Sequence, residues 1–193
     1  MSTTTAVRTV DGIELPASGV WKVDPGHAEI GFVGRHLMLT KVRGRFTGVD
    51  ATVTIGDNPN DTNIEAVIDM ASVESGDTAR DDHLKSPDFF DVQEWSRATF
   101  RSTDVDWAGT KGIMKGELTI KGIKNELTLD VEYLGYARDP WDNDRAVFSA
   151  SGVINRDDWD LSWNMPLDTG GFLVSREIAL DLQVELIRDV DAD

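Results

Sequence analysis

The chain has 193 residues, which suits one domain, and 40% of them are hydrophobic, enough for a packed core. Its 35 acidic and 19 basic residues give a formal net charge of −16 at pH 7, which repels nucleic-acid phosphates and anionic lipid headgroups. The absence of cysteine excludes disulfides, cysteine-based zinc sites and thiol nucleophiles.

The two ends of the chain, residues 1–10 and 189–193, show no strong pattern and are predicted to be frayed. The first residues lack the basic start and apolar centre of a secretory signal. No stretch approaches the roughly 18 apolar residues that a membrane span requires. We therefore expect a cytoplasmic protein with no stable membrane insertion.

Between the ends, eight segments alternate apolar and polar residues, which is typical of a β-strand with one dry and one wet face. In chain order they are residues 28–33, 49–55, 64–70, 98–107, 115–120, 127–133, 146–154 and 177–186. Segments rich in Gly, Pro, Asn and Asp separate several of them, at 56–61, 121–125 and 138–144. This spacing predicts an antiparallel sandwich or barrel.

The apolar faces of these strands predict an apolar interior if the sheet closes on itself. An eight-stranded barrel has just enough bore to be filled by its own side chains or to hold one slim ligand. The sequence leaves both possibilities open.

Residues 35–45, RHLMLTKVRGR, carry five basic or histidine side chains and no acid in a chain that is otherwise strongly acidic. One interpretation is a solvated edge between a strand and a loop. The other is a binding site for an anionic headgroup such as a diphosphate or carboxylate, to which arginine donates bidentate hydrogen bonds.

A short charged segment, residues 75–91, interrupts the strand pattern. Asp77 or Thr78 can cap a helix, and the segment ends in two adjacent aromatic residues, Phe89 and Phe90. We predict that this segment forms a lid over one barrel end, with its charged residues facing solvent and its aromatic residues facing the barrel. Arg80 and His83 have either a structural role there, with Arg80 paired to a neighbouring aspartate, or a place in the wall of a ligand entrance.

Catalytic and metal-binding signals are weak. The three histidines are spaced by 9 and 47 residues, which matches no ligand motif, so no metal or other cofactor is predicted. The chain has no nucleophile elbow and no Walker loop. Trp159 and Trp163, just after Asn155 and Arg156, pack on the barrel rim or line a ligand wall.

Several segments together resemble one family, the YceI-like family of lipid-binding, lipocalin-like proteins, over about residues 21–188. The segments are WKVDPGHAEIGF (21–32), His36, GRF (44–46), RDDHLKSPDFFD (80–91), ATF (98–100), GELTIKGIKNELTL (116–129) and INRDDW (154–159). The resemblance implies an extended eight-stranded antiparallel barrel with a short helical segment, about 77–91, over one end. It also implies a long apolar channel for a polyisoprenoid or an isoprenoid-quinone-like lipid, and it allows a homodimer.

Two positions depart from the family pattern. Ala28 stands where a serine usually follows the histidine, and Trp159-Asp160 replaces the usual Phe-Gly. These departures leave the ligand length and headgroup open.

We therefore predict an all-β protein, one domain over residues 1–193 with a barrel at about 20–188. It binds and sequesters or carries the isoprenoid lipid without catalysis. The predicted ligand-binding residues are Phe32, His36, Phe46, Arg80, His83, Phe89, Phe90, Phe100, Asn155, Arg156, Trp159 and Trp163. Two alternatives stay open: an enzyme acting on a small hydrophobic substrate with a histidine base, and a stress-related interaction protein with a filled barrel.

Overall fold

Strands that alternate inward apolar and outward polar residues dominate the computed structural model, which describes residues 6–192. The strands are β1 Val7–Val10, β2 Ile13–Pro16, β3 Gly19–His36, β4 Thr40–Phe46, β5 Val49–Ile55, β6 Asn63–Asp69, β7 Val73–Glu74, β8 Arg97–Ala108, β9 Lys111–Ile120, β10 Ile123–Arg138, β11 Asp144–Asn155 and β12 Glu177–Arg188. The α-helix is α1 Thr78–Lys85, and short 3-10 turns lie at Pro59–Asp61, Met70–Ser72 and Arg156–Trp159. None of the described helices is long and apolar enough to cross a membrane.

The last strand pairs with the long third strand and closes an eight-stranded antiparallel barrel. The order around it is β3, β4 with β5, β6, β8, β9, β10, β11 and β12. β4 and β5 together count as one barrel strand, because they pair with opposite ends of the same edge of β3. Phe46 lies opposite Ile30, and Ile55 opposite Gly19. The predicted fold class is therefore confirmed.

The helix over one barrel end is shorter than the predicted 77–91. Its cap is Asp77, whose side chain accepts a hydrogen bond of 2.9 Å from the amide of Arg80. The helix ends at Lys85, because the residue before Pro87 is disfavoured in helical conformation. The chain then turns and buries Phe89 and Phe90. We call α1 and residues 86–91 together the lid segment.

A hairpin of β1 and β2 covers the other end of the barrel. Residues 7–10, where the sequence predicted a frayed end, pair with residues 13–16 across a turn at Asp11-Gly12. Leu15 packs with Trp21 in a cluster of buried apolar side chains. Arg8 donates hydrogen bonds of 2.6 and 2.8 Å to the carbonyls of Gly56 and Asp57. Ala6, also in the predicted frayed N-terminal end, is buried, and Asp189 of the predicted frayed C-terminal end pairs with Lys22 at 2.7 Å. Residues 1–5 and 193 lie outside the described residues.

Arg145 joins three parts of the chain near this hairpin end. Its guanidinium donates to the carboxylates of Asp24 and Glu185 at 2.6 Å and to Asp139 at 2.7 Å. These side chains are at most 22% exposed, so the ion pairs are only partly screened by water. The hydrogen bond from Arg145, helped by one from His27, lowers the pKa of Asp24 to about 2.

Replacing Arg145 with Gln is expected to destabilise the protein most at neutral pH and less in acid, where Asp24 is protonated. Because the pKa of Asp24 is lower in the folded chain than its ordinary 3.8, its stabilising effect is complete above that value and is lost between about pH 4 and pH 2. The urea midpoint of Arg145→Gln should lie well below wild type at neutral pH, and the difference should shrink between about pH 4 and pH 2; the part that remains comes from Asp139, whose pKa is also lowered. Arg138→Gln, which removes an exposed pair with Asp142, is the control and should change little. A gap between Arg145→Gln and wild type that is constant with pH would contradict this assignment.

Candidate functional site

The barrel is hollow: its bore holds a cavity of about 680 Å³. Inward-facing residues such as Ile30, Phe32 and Leu180 are only partly buried, because their side chains border this space instead of packing against the opposite wall. The volume lies within the range of small-ligand sites. The choice between a filled and a hollow bore, which the sequence left open, is therefore settled for a hollow one.

Small residues keep the bore wide. Alanine or glycine stands at five of the lining positions, Gly34, Ala51, Ala66, Ala98 and Ala150. Elsewhere, glycine lets a large ring lie flat against the wall. A Cβ built on Gly44 falls 2.3 Å from the ring of Phe32, and one built on Gly116 falls 2.3 Å from the ring of Phe100. These two phenylalanines therefore cover the backbone of neighbouring strands and leave the centre of the bore open.

No Asp or Glu of the described residues lines the cavity, although the chain has 35 of them. Apart from alkyl and aromatic side chains, the wall carries basic or neutral polar groups. These are Arg8, Arg35, His36, Thr40, Thr62, Ser75, Arg80, His83 and Arg156. Such a cavity suits an apolar molecule with a neutral or anionic end, and its positive groups disfavour a cationic ligand.

The lid segment is held at the barrel mouth by ring contacts. His83 lies edge-on to Trp163, with ring centroids 4.5 Å apart, and to Phe89 at 5.1 Å. Phe90 contacts Phe46 at 5.6 Å, inside the barrel. The aromatic contacts therefore run from the rim down into the bore. We call the opening beneath the lid segment the mouth.

Polar contacts within the lid segment differ from the predicted pairing. Arg80 donates through Nε to the hydroxyl of Ser75 and through Nη2 to its carbonyl, both at 2.7 Å. Asp81 instead accepts from the amide of Ser75 at 2.8 Å. The interpretation that Arg80 pairs with a neighbouring aspartate is wrong, because Ser75 occupies the place between them. His83 does pair with an aspartate, Asp88, at 2.8 Å.

Arg156 anchors the loop of residues 161–176 on the rim. Its Nε donates to the carbonyl of Ser175 at 2.9 Å, and its Nη1 donates to the carbonyls of Leu161 and Trp163. The residue is 3% exposed, and burial lowers the pKa of its guanidinium. Arg156 thus fixes the position of Trp163 against His83.

Ten of the twelve predicted site residues line the cavity: Phe32, His36, Phe46, Arg80, His83, Phe89, Phe90, Phe100, Arg156 and Trp163. The other two do not. Asn155 caps the 3-10 turn that follows it, accepting from the amide of Asp157 at 3.2 Å. Trp159 is buried in the core and donates to the carbonyl of Leu118 at 2.9 Å. Contact of the ten with a ligand stays a prediction.

Most of the wall is aliphatic and was not named from the sequence. Leu180, Leu182 and Val184 all face the cavity from β12. The period-two pattern of that strand identifies its apolar face and could have supplied them. Arg8 and Leu15 also line the cavity, but from the hairpin that the sequence did not predict.

A metal site has little support in the described part of the chain. One group, Asp24, His27 and Glu185, brings ligand atoms within 4.8 Å of one another. Arg145 already donates to both of its carboxylates. His27 does not line the cavity, unlike His36 and His83, so the three histidines are not gathered around it.

The family is now decided by comparison with known proteins. A family model described as a YceI-like domain matches residues 21–186. The chain belongs to the YceI-like family. The resemblance seen in the sequence segments is therefore confirmed, and the hairpin of β1 and β2 lies outside the matched residues.

Individual relatives agree with this assignment. The UPF0312 protein of Staphylococcus aureus strain N315 is 35% identical over 164 residues, which cover 84% of this chain and 94% of that protein. The crystal structure of Burkholderia cenocepacia BcnA matches with a TM-score of 0.73 at 24% identity, covering 84% of this chain and 98% of that one. A polyisoprenoid binding domain from Saccharophagus degradans matches with a TM-score of 0.65 at 15% identity, covering 88% and 98%. The two structures share the fold of this YceI-like chain.

Gly44→Ala is expected to narrow the bore. The new Cβ would lie 2.3 Å from the Phe32 ring, so the ring must swing toward the cavity. We expect the affinity for a bore-filling ligand, geranylgeraniol, to fall about tenfold, as measured by quenching of tryptophan fluorescence.

The double variant Gly44→Ala/Phe32→Leu is the matched control, since the smaller side chain can coexist with the added methyl. Restored affinity supports the flat-ring arrangement. Equal loss in the single and double variants would contradict it.

Proposed function

We infer that this YceI-like protein binds a polyisoprenoid or isoprenoid-quinone-like lipid in the barrel cavity, and that it sequesters or carries the lipid without catalysis. The observation that carries the inference is the hollow apolar bore of about 680 Å³ with no described carboxylate in its wall. Family membership supports it, as does the Saccharophagus degradans neighbour, described as a polyisoprenoid binding domain.

The cavity volume limits how much of a lipid tail fits. If each carbon takes about 30 Å³, as a water molecule does in the liquid, the cavity holds about 20 carbons, or four isoprene units. Each buried carbon contributes about 0.8 kcal/mol, which gives about 16 kcal/mol gross. Association costs of roughly 4–15 kcal/mol leave about 1–12 kcal/mol net, so the tail alone gives nanomolar affinity only when the association cost is near its lower limit. A longer tail projects from the cavity.

The polar side chains of the wall suggest the orientation of the lipid. His36, Thr40, Arg80 and His83 lie around the mouth, and the middle of the bore is aliphatic and aromatic. The headgroup therefore belongs at the mouth and the tail points toward the hairpin of β1 and β2. In this arrangement tail burial determines affinity, and the mouth residues determine headgroup choice.

The two alternative functions fare differently. A filled barrel is contradicted by the cavity. An enzyme with His36 or His83 as base stays an alternative: Asp88 orients His83 at 2.8 Å, whereas no described carboxylate contacts His36. The cytoplasmic location and the homodimer stay predictions.

The ranking of two substitutions tests the dominance of tail burial. Phe90→Asp places a charge against the buried tail and is expected to lower geranylgeraniol affinity at least about 100-fold. Arg43→Ala removes an exposed side chain outside the cavity and should change the affinity less than about twofold. Fluorescence titration measures both, with circular dichroism as the check on folding.

Leu182→Trp provides a second route if the aspartate prevents folding. It fills the middle of the bore with a hydrophobic side chain and should also abolish binding. The reverse ranking, with Arg43→Ala more damaging than both cavity variants, would refute the proposed function. Native mass spectrometry of protein from its own host, followed by organic extraction, identifies a co-purified lipid and counts protomers together.

A further inference from the structure

An apolar turn projects beside the mouth. The connection between β3 and β4 holds Leu37, Met38 and Leu39, which are 42%, 52% and 78% exposed. Leu37 and Met38 have φ of 54° and 59°, in the left-handed region that large side chains rarely adopt. Backbone strain of this kind often accompanies a functional surface. Three consecutive exposed apolar residues in a strained turn point to something that covers them.

The turn is continuous with a second exposed apolar element. The amide of Leu37 donates to the carbonyl of Leu173 at 2.8 Å, which joins the turn to the loop of residues 161–176. Met38 and Phe172 line one groove, which also includes Arg35, Arg176 and Glu177. Met165 and Phe172 are 52% and 42% exposed. We call the five residues Leu37, Met38, Leu39, Met165 and Phe172 the rim patch.

Unpaired cations surround the turn of the rim patch. Arg35, Lys41 and Arg43 are exposed, and none forms an ion pair with a described residue. The neighbouring Arg45 differs, because it pairs with Glu29 at 3.7 Å and with Glu74 at 3.3 Å. The chain from 35 to 45 contains no acid. A local positive charge is thus combined with exposed apolar side chains, on a protein whose net charge is −16.

The rim patch also lies at the opening of the cavity. His36 and Thr40, the residues that bracket the apolar turn, both line the cavity and are exposed. Leu173 and Val174, next to Phe172, line it as well. A surface that covers the rim patch therefore faces the mouth.

We propose that the rim patch and its three unpaired cations dock the mouth on an anionic lipid bilayer. Apolar residues enter the headgroup region while Arg35, Lys41 and Arg43 contact lipid phosphates, as in other interfacial binding segments. At physiological ionic strength the screening length is about 8 Å, so acids far from the rim contribute little repulsion. The net negative charge then keeps docking weak and reversible. This proposal goes beyond lipid binding in the cavity, and its test does not require a bound cargo.

Vesicle co-sedimentation at about 0.15 M salt tests the docking. Wild type should bind vesicles of phosphatidylcholine with about 30% phosphatidylglycerol, and bind pure phosphatidylcholine far less. Lys41→Gln/Arg43→Gln should lower the partition coefficient about 25-fold, at about fivefold for each cation. Met38→Asn/Leu39→Ser should lower it at least about tenfold, since asparagine tolerates the left-handed backbone.

Matched controls come from the outer wall of the barrel. Lys115→Gln removes an exposed lysine that forms no ion pair with a described residue, and Val153→Ser removes an apolar side chain that is 62% exposed. Both should bind anionic vesicles like wild type. Because the chain has no cysteine, Leu39→Cys and Val153→Cys each accept one environment-sensitive fluorophore. Its emission should shift to the blue on anionic vesicles at position 39 only.

Three outcomes would overturn the docking: wild type that stays in solution with anionic vesicles, rim variants that bind like the wall controls, or equal fluorophore shifts at 39 and 153. Analytical ultracentrifugation tests the alternative that the rim patch joins two copies of the chain. If wild type is a dimer that does not bind vesicles and the rim variants are monomers, the docking is wrong. Geranylgeraniol titration in parallel separates the two proposals. Binding of geranylgeraniol without vesicle binding refutes only the docking. Vesicle binding without binding of geranylgeraniol refutes only the proposed lipid binding in the cavity.

Discussion

Closure of β12 on β3 is the constraint on which the rest of the structure depends. It fixes eight strands around one bore, and an eight-stranded bore can be filled only if large side chains project into it. In this chain several lining positions carry alanine or glycine, and Phe32 and Phe100 lie flat over Gly44 and Gly116. The cavity therefore follows from side-chain size and direction, with no distortion of the barrel.

The sequence predicted most barrel strands because their outer faces are polar, but it missed β4, whose residues lie in the basic segment 35–45 that was interpreted as a strand–loop edge or an anion dock. β5, for example, has the bounds that the alternation gives, since Val49, Val53 and Ile55 are buried while Asp50 and Thr54 are exposed. The hairpin of β1 and β2 was missed because strands of four residues are too short to show a period. The hollow bore could not be predicted, because the direction of the Phe32 ring depends on a glycine in the neighbouring strand.

The site was predicted best where composition changes abruptly. The lid segment stood out as charged and then aromatic, and its Phe89 and Phe90 do line the cavity. Trp159 and Trp163 could not be separated by sequence, because the 3-10 turn at Arg156–Trp159 directs one indole into the core and the later chain brings the other to the mouth. Asp160 ends that turn with φ of 56°, a left-handed conformation that glycine adopts more readily than aspartate.

The two ends of the cavity have different origins. The mouth is built from elements within residues 21–186, which match the family model. The opposite end includes Arg8, Leu15 and Pro16, from a hairpin outside that match. Arg8 also ties the hairpin to the carbonyls of Gly56 and Asp57. The depth available to a tail in this protein thus depends partly on residues that family membership does not specify, so a relative's ligand length does not transfer directly to this chain.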